Sequence, residues 1–400
     1  ARAITAGRIG RPKVKNLSLL FLCEALSRTA SIVMLSSMAL VGQRLTPSAA
    51  LATIPIALAP VATMLMTVPA ARLMQRRGRR LGFALGAGLG VFGGVMGCIA
   101  VYQENFLLLC LGGLGIGAVN GFATYYRFAA GEVVAEDFRS RAISLVMAGG
   151  VIAAVTGSNL AIWSREWFPD DLFAGSFLGI AIVHSLVLLV LSFVRFPALS
   201  VEEKRAGGRS LAQIARQSDF ALAVIGAVAA WGVMSLLMNA TPLAMKRHLH
   251  SFADTAWVIQ WHVLGMFVPS FFTGHLISRW GEHRIMFAGI CLLGGSIAVN
   301  LSGIERYHYA IGLALLGVGW NFLFVGATAL LATTYRPEEK ARVQSCNDFL
   351  IFGLLVLTSF SAAPLEGMLG WDRLNHLVAP FLAVVAVVMG VLWLRAGRSA

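Results

Sequence analysis

The sequence predicts an all-α integral membrane protein of twelve transmembrane helices, built as two pseudo-symmetric six-helix halves. Three observations predict it. Of 400 residues, 58% are hydrophobic and only 13% charged, against roughly a quarter charged in a soluble domain. Apolar runs recur that are long enough to cross ~30 Å of hydrocarbon at ~1.5 Å per residue. A short basic segment repeats half a chain apart.

In order, the runs cover 18–41, 48–73, 81–102, 105–134, 142–164 and 173–194, then 218–243, 252–278, 285–304, 308–334, 343–367 and 374–396. Residues 1–17 are polar and basic ahead of the first full-length run, unlike a cleaved leader. The long polar stretch is 195–217, with Glu202, Glu203, Lys204 and Gly207-Gly208. It divides an N-terminal bundle, 1–194, from a C-terminal bundle, 218–400. The net charge of +13 is unevenly placed. Most Lys and Arg fall in the loops on one side, including Arg76, Arg77, Arg79, Arg80, Arg139 and Arg141. That bias places both termini in the cytoplasm of a bacterial inner membrane. It reflects orientation and anionic lipid rather than a nucleic-acid partner. The five cysteines sit singly in apolar spans and read as small buried hydrophobes. There is no Walker loop, dinucleotide fingerprint or nucleophile elbow, so an enzyme is not expected, nor an organic cofactor.

The repeat is specific. Leu73-Met-Gln-Arg-Arg-Gly-Arg-Arg80 follows span 2, and Leu276-Ile-Ser-Arg-Trp-Gly-Glu-His283 follows span 8. Span 4 carries Asn120 and ends in Glu136-Asp-Phe-Arg-Ser-Arg141; span 10 carries Asn321 and ends in Pro337-Glu-Glu-Lys-Ala-Arg342. Twelve spans, two matched halves and an Arg-x-Gly-Arg-Arg loop resemble the major facilitator superfamily. The family's loop reads Gly-x-Leu-x-Asp-Arg-x-Gly-Arg-Arg. Here Ala71 replaces the Gly and Gln75 the Asp, while in the second half Gly274, Leu276, Arg279 and Gly281 fit and Ser278 replaces the Asp. The resemblance implies alternating access about a midplane site, and leaves the cargo open.

Candidate cargo ligands come from spacing. Span 7 carries Met234 and Met238, and span 8 carries His262 and Met266, each pair at i, i+4 and so on one helix face. Thioether and imidazole are soft ligands suited to copper. Counting places the first pair ~25–30 Å along span 7 and the second ~15–21 Å along span 8, overlapping in depth. The MxxxM and HxxxM pairs resemble those of CcoA-like copper importers. That resemblance implies copper ion as the transported substrate, a role in haem–copper (cbb3-type) oxidase assembly, and a cytoplasmic or membrane copper chaperone as acceptor. The chain is expected to act as a monomer in the bilayer. Met34 and Met38 on span 1, with Met64 and Met66 on span 2, form a second thioether set for a metal path. Packing of the helix interface is the plainer account of this second set.

Intramembrane charges mark a gate or coupling site. Glu24 and Arg28 on span 1 are expected to join Arg127 and Glu132 on span 4, and Asp348 on span 11 is a further proton or cation site. Two other functions stay open. One is a proton-coupled transporter of a small organic solute or drug, with these charges as its ligands. The other is a non-transporting membrane assembly factor.

Overall fold

The computed structural model describes residues 11–46, 51, 54–197 and 207–396. The first ten residues, the start of the expected second span and the charged part of the linker, 198–206, lie outside the described residues, as do the last four. Among the described residues the regular elements are all helices. Lipid offers backbone groups no partners, so each span must close its own hydrogen bonds, and helices do that.

In the first half, α1 is Arg11–Leu45, α2 Ile54–Arg77 and α3 Arg79–Tyr102. α4 runs Phe106–Ala123 and continues after a turn as Tyr126–Glu132. α5 comprises Arg139–Met147 and Gly149–Ser164, and α6 is Ala174–Phe193. A short helix, Leu211–Ile214, precedes the second half. There α7 is Ser218–Arg247, α8 is Phe252–Phe267 broken at Pro269 and resumed as Ser270–Trp280, α9 is Glu282–Ser302 and α10 Arg306–Leu331. The final run, Lys340–Ala396, turns at Gly370 into α11 (340–369) and α12 (371–396). Each expected span is met by one helix or broken helix. Starts are capped where the sequence supplies a cap: Asn105 accepts from the N–H groups of Leu107 and Leu108 ahead of α4.

The repeat has a backbone signature. Gly78 between α2 and α3 has φ 90°, ψ 159°, and Gly281 between α8 and α9 has φ 84°, ψ 159°. A side chain is not accommodated in that region, which explains a glycine at this point of each half. Within halves, α4 packs on α2 and α3, as α10 packs on α8 and α9. Between halves, α2 lies on α11 and α5 on α8.

Polar contacts between the halves run from mid-depth toward the end bearing Arg79 and Lys340, hereafter the basic end. Glu132 accepts from Arg79 Nη2 at 2.7 Å and from Lys340 Nζ at 3.0 Å. Arg79 Nη2 also reaches Gln344 Oε1 at 3.0 Å, and Gln75 Nε2 reaches the Glu338 carbonyl at 3.3 Å. On the α5–α8 side, Ser144 Oγ donates to the Ser270 carbonyl and accepts from the Gly274 N–H. The linker is tied in by Arg209, whose side chain grips Glu339.

Candidate transport site

Five helices surround a cavity of about 290 Å³ between the halves: α1, α2 and α4 on one side, α7 and α11 on the other. Each contributes a stripe at helical spacing. Glu24, Ser27, Arg28, Ser31 and Met34 give α1 a polar face ending in a thioether. Trp231, Met234, Ser235, Met238 and Asn239 line it from α7, and Asp348, Ile351, Phe352, Leu355 and Ser359 from α11.

The floor is ionic. Arg127 Nη1 donates to Thr124 Oγ1 at 2.6 Å, and Nη2 donates to Asp348 Oδ1. Asn347 Nδ2 donates to the same oxygen at 2.9 Å, and Thr124 Oγ1 lies 3.3 Å from Asp348 Oδ2. The guanidinium lies over the rings of Phe128 and Phe324, 4.6 and 4.8 Å from their centroids. Asp348 is fully buried and Arg127 nearly so. A buried charge in so poor a solvent survives only with a partner, and here the partners come from opposite halves. Glu24 is paired within its own helix, accepting from Arg28 Nε at 2.8 Å.

The α7–α11 wall is aromatic, then polar. Trp231 packs edge-on against Trp320 (centroids 5.1 Å) and Phe324 (5.7 Å), with Phe352 at 6.3 Å. About two turns along α7, Asn239 Nδ2 donates to Ser235 Oγ at 3.2 Å and to Ser359 Oγ at 3.4 Å. On the opposite wall Ser31 Oγ donates to Asn120 Oδ1 at 3.1 Å.

The expected metal set is divided. Met234 and Met238 line the cavity; His262 and Met266 are off its wall. His262 is fully buried, with Nδ1 2.8 Å from the Leu313 carbonyl of α10. The Met266 carbonyl accepts from Asn321 Nδ2, also of α10. Residue counting fixes depth along a helix but not rotation about its axis, and α8 turns toward α10. In the second thioether set, Met34 lines the cavity. Met38 is buried beside Gly113, Met66 lies beside Gly121, and the Met64 sulfur faces Gly353 of α11. Among the described residues, no group of three His, Cys, Asp or Glu side chains is placed to hold a metal ion.

The expected charge network is also re-paired. Arg127 binds Asp348 rather than Glu24 or Glu132, and Glu132 belongs to the basic-end cluster with Arg79 and Lys340. Sequence reasoning did not single out Trp231, Phe352, Asn239 or Ser359. Trp231 was within reach: it stands three residues before Met234, on the same face.

Comparisons place these features in a family. The family model described as Major Facilitator Superfamily matches residues 222–400. The riboflavin transporter RfnT of Brucella anthropi is 40% identical over 375 residues, 93% of this chain and 94% of that protein. Among solved structures, FucP in its outward conformation matches with TM-score 0.74 at 16% identity, over 96% of this chain and 99% of that one. The human organic anion transporter MFSD10 matches with TM-score 0.76 at 13% identity, over 95% and 100%. The 40%-identical relative is thus a riboflavin transporter, not a copper importer.

Proposed function

The chain belongs to the major facilitator superfamily, and we propose that it carries riboflavin or a closely similar planar, hydroxylated solute across the inner membrane by alternating access. It is a multi-pass membrane transporter and not an enzyme. The observation that carries the cargo assignment is the relation to RfnT over nearly the whole of both chains. The cavity's chemistry agrees with it. Trp231 and Phe352 put aromatic rings on the wall, and Asn239, Ser235 and Ser359 offer neutral donors and acceptors. Buried apolar walls with a few placed polar groups suit an organic ligand. On this reading the basic end faces the cytoplasm, the carrier works as a monomer, and Glu24 and Asp348 are the cavity acids available to a coupling proton.

Copper import retains one specific observation: Met34, Met234 and Met238 bring thioethers to the cavity from both halves. It lacks the imidazole, since His262 is off the wall. A copper chaperone has no place in the riboflavin reading, and a non-transporting role leaves the polar cavity without a purpose.

Uptake of labelled riboflavin into cells that cannot make it decides the matter. Expression of this chain should restore growth at low external riboflavin and accelerate uptake over a vector control. Well-expressed protein with no such gain, but with raised cellular copper, would replace the flavin reading by the copper one.

A further inference from the structure

The cavity's two kinds of chemistry are separated along its length. Asp348 and Arg127 mark one end, with Trp231 and Phe352 beside them. Asn239 lies ~12 Å further along α7 than Trp231, and Ser359 ~16 Å further along α11 than Asp348, at ~1.5 Å per residue. The two helices run in the same direction, so Asn239 and Ser359 meet at the other end, as their hydrogen bond shows. Between them stand Met234 and Met238.

Resting on the riboflavin reading, we infer that the cargo lies with its ring toward the ionic end. Its planar ring system stacks on Trp231 and Phe352, and its polyol tail is read by Asn239, Ser235 and Ser359. Three features carry this. Trp231 is braced by Trp320 and Phe324, so its ring is a fixed platform that a planar ligand meets without ordering cost. The thioethers beside it are polarizable and adapt to a ring edge. The polar triad is neutral and carries both donors and acceptors, which matches hydroxyl groups. Of the cavity's basic residues, Arg127 is held by Asp348 at the ionic end and Arg28 by Glu24 of its own helix. A phosphate on the tail would therefore lose its water and find both cations already paired. The orientation thus selects the free polyol over its phosphate ester.

Three probes separate the two ends: riboflavin, lumichrome (the ring system without the polyol) and riboflavin 5′-phosphate. Trp231→Leu should raise KM for riboflavin and lumichrome alike, by about tenfold, the scale of one lost stacking contact. Trp231→Phe should recover most of that loss, which also controls for misfolding. The Asn239→Leu, Ser359→Ala pair should raise KM for riboflavin about tenfold, as lost hydrogen bonds to buried hydroxyls do, and leave that for lumichrome unchanged. Riboflavin 5′-phosphate should not compete in wild type. Equal effects of the polar pair on riboflavin and lumichrome, or an unchanged KM in Trp231→Leu, would overturn the orientation. If wild type shows no riboflavin uptake, the proposed cargo falls. The orientation is then judged on purified protein by quenching of probe fluorescence: quenching lost in Trp231→Leu sustains it, and quenching by neither probe ends it.

Discussion

Asp348 and Arg127 set the energetic terms at the scale of single residues. Each is buried, and each has its charge met from the opposite half. Removing one partner of such a pair costs about 3–5 kcal/mol, because the other charge stays behind in low dielectric. Arg127→Leu alone should therefore lower the yield and melting temperature of purified protein sharply. Arg127→Leu with Asp348→Leu should be more stable than Arg127→Leu alone, since no lone charge remains. A double variant as unstable as the single would show that Asp348 is held by Thr124 and Asn347 rather than by the ion pair. His262 tests a different point. Its Nδ1 meets a carbonyl inside α10, and its Nε2 has no hydrogen-bond partner among the described residues. His262→Leu gives up one hydrogen bond, worth ~1 kcal/mol, and touches no cavity wall. Riboflavin uptake should stay near wild type with a small fall in melting temperature. Loss of uptake from a stable His262→Leu protein would return that imidazole to the transport path. The α7 face was legible in the sequence, since Met234 and Met238 stand at i, i+4 and both line the cavity. The Arg127–Asp348 pair was not, because no local spacing links α4 to α11.

At the scale of elements, helix crossings and caps decide where these residues stand. Span positions could be read because hydrocarbon thickness fixes length and backbone satisfaction fixes helicity. The break at Pro269 and the orientation of α8 depend on neighbours, and only packing reveals them. Gly117 and Gly317 are matched crossings. A Cβ on Gly117 would lie 2.3 Å from the Ala59 carbonyl oxygen of α2, and one on Gly317 2.5 Å from the His262 carbonyl oxygen of α8. Backbone cannot yield as a flexible side chain does, so Gly317→Ala must push α10 from α8. A loss of about 1–3 kcal/mol is expected, seen as a lower melting temperature in detergent; an unchanged value would mean that the crossing is looser than it stands. The linker supplies a pH-dependent contact. Glu339 accepts from the Arg209 backbone N–H, Nε and Nη2 at 2.7, 2.9 and 2.7 Å. Those side-chain bonds, foremost, hold its carboxyl down to about 2. An unfolded glutamate protonates near ~4.3. The depressed value means that this anchor contributes fully above ~4.3 and is lost as pH falls toward about 2. Pepsin cleavage near Gly207 and Gly208 should thus be slow at the upper end of that window and accelerate through it. Glu339→Gln should be cut quickly across the whole range. Equal rates for wild type and variant would remove the anchor from consideration.

At the scale of the whole molecule, the halves are joined at the basic end by a cluster that has to part if the cavity is to open there. Glu132 is its centre, taking Arg79 from its own half and Lys340 from the other. Arg79 in turn reaches Gln344 across the same seam. These contacts exist only when that end is closed, so they stabilise one of two arrangements and bias the equilibrium between them. The loop's own departures from the family pattern sharpen the point. Gln75, standing where the pattern has Asp, makes a neutral bond to the Glu338 carbonyl, so the ionic weight of closure falls on Glu132 and Lys340. Lys340→Ala should then move the population toward the state open at the basic end. Part-buried ion pairs of this kind are worth on the order of 1 kcal/mol or more, enough for a several-fold change in ratio. Spin labels at Arg77 and Arg284 report the basic end, and labels at Gln103 and Ser302 the opposite end, all on exposed positions. In Lys340→Ala the first distance distribution should lengthen and the second shorten. Glu132→Gln should shift both further, because it also releases Arg79. Distributions that match wild type in both variants would show that packing of α5 on α8, through Ser144, Ser270 and Gly274, holds that end shut without the charges.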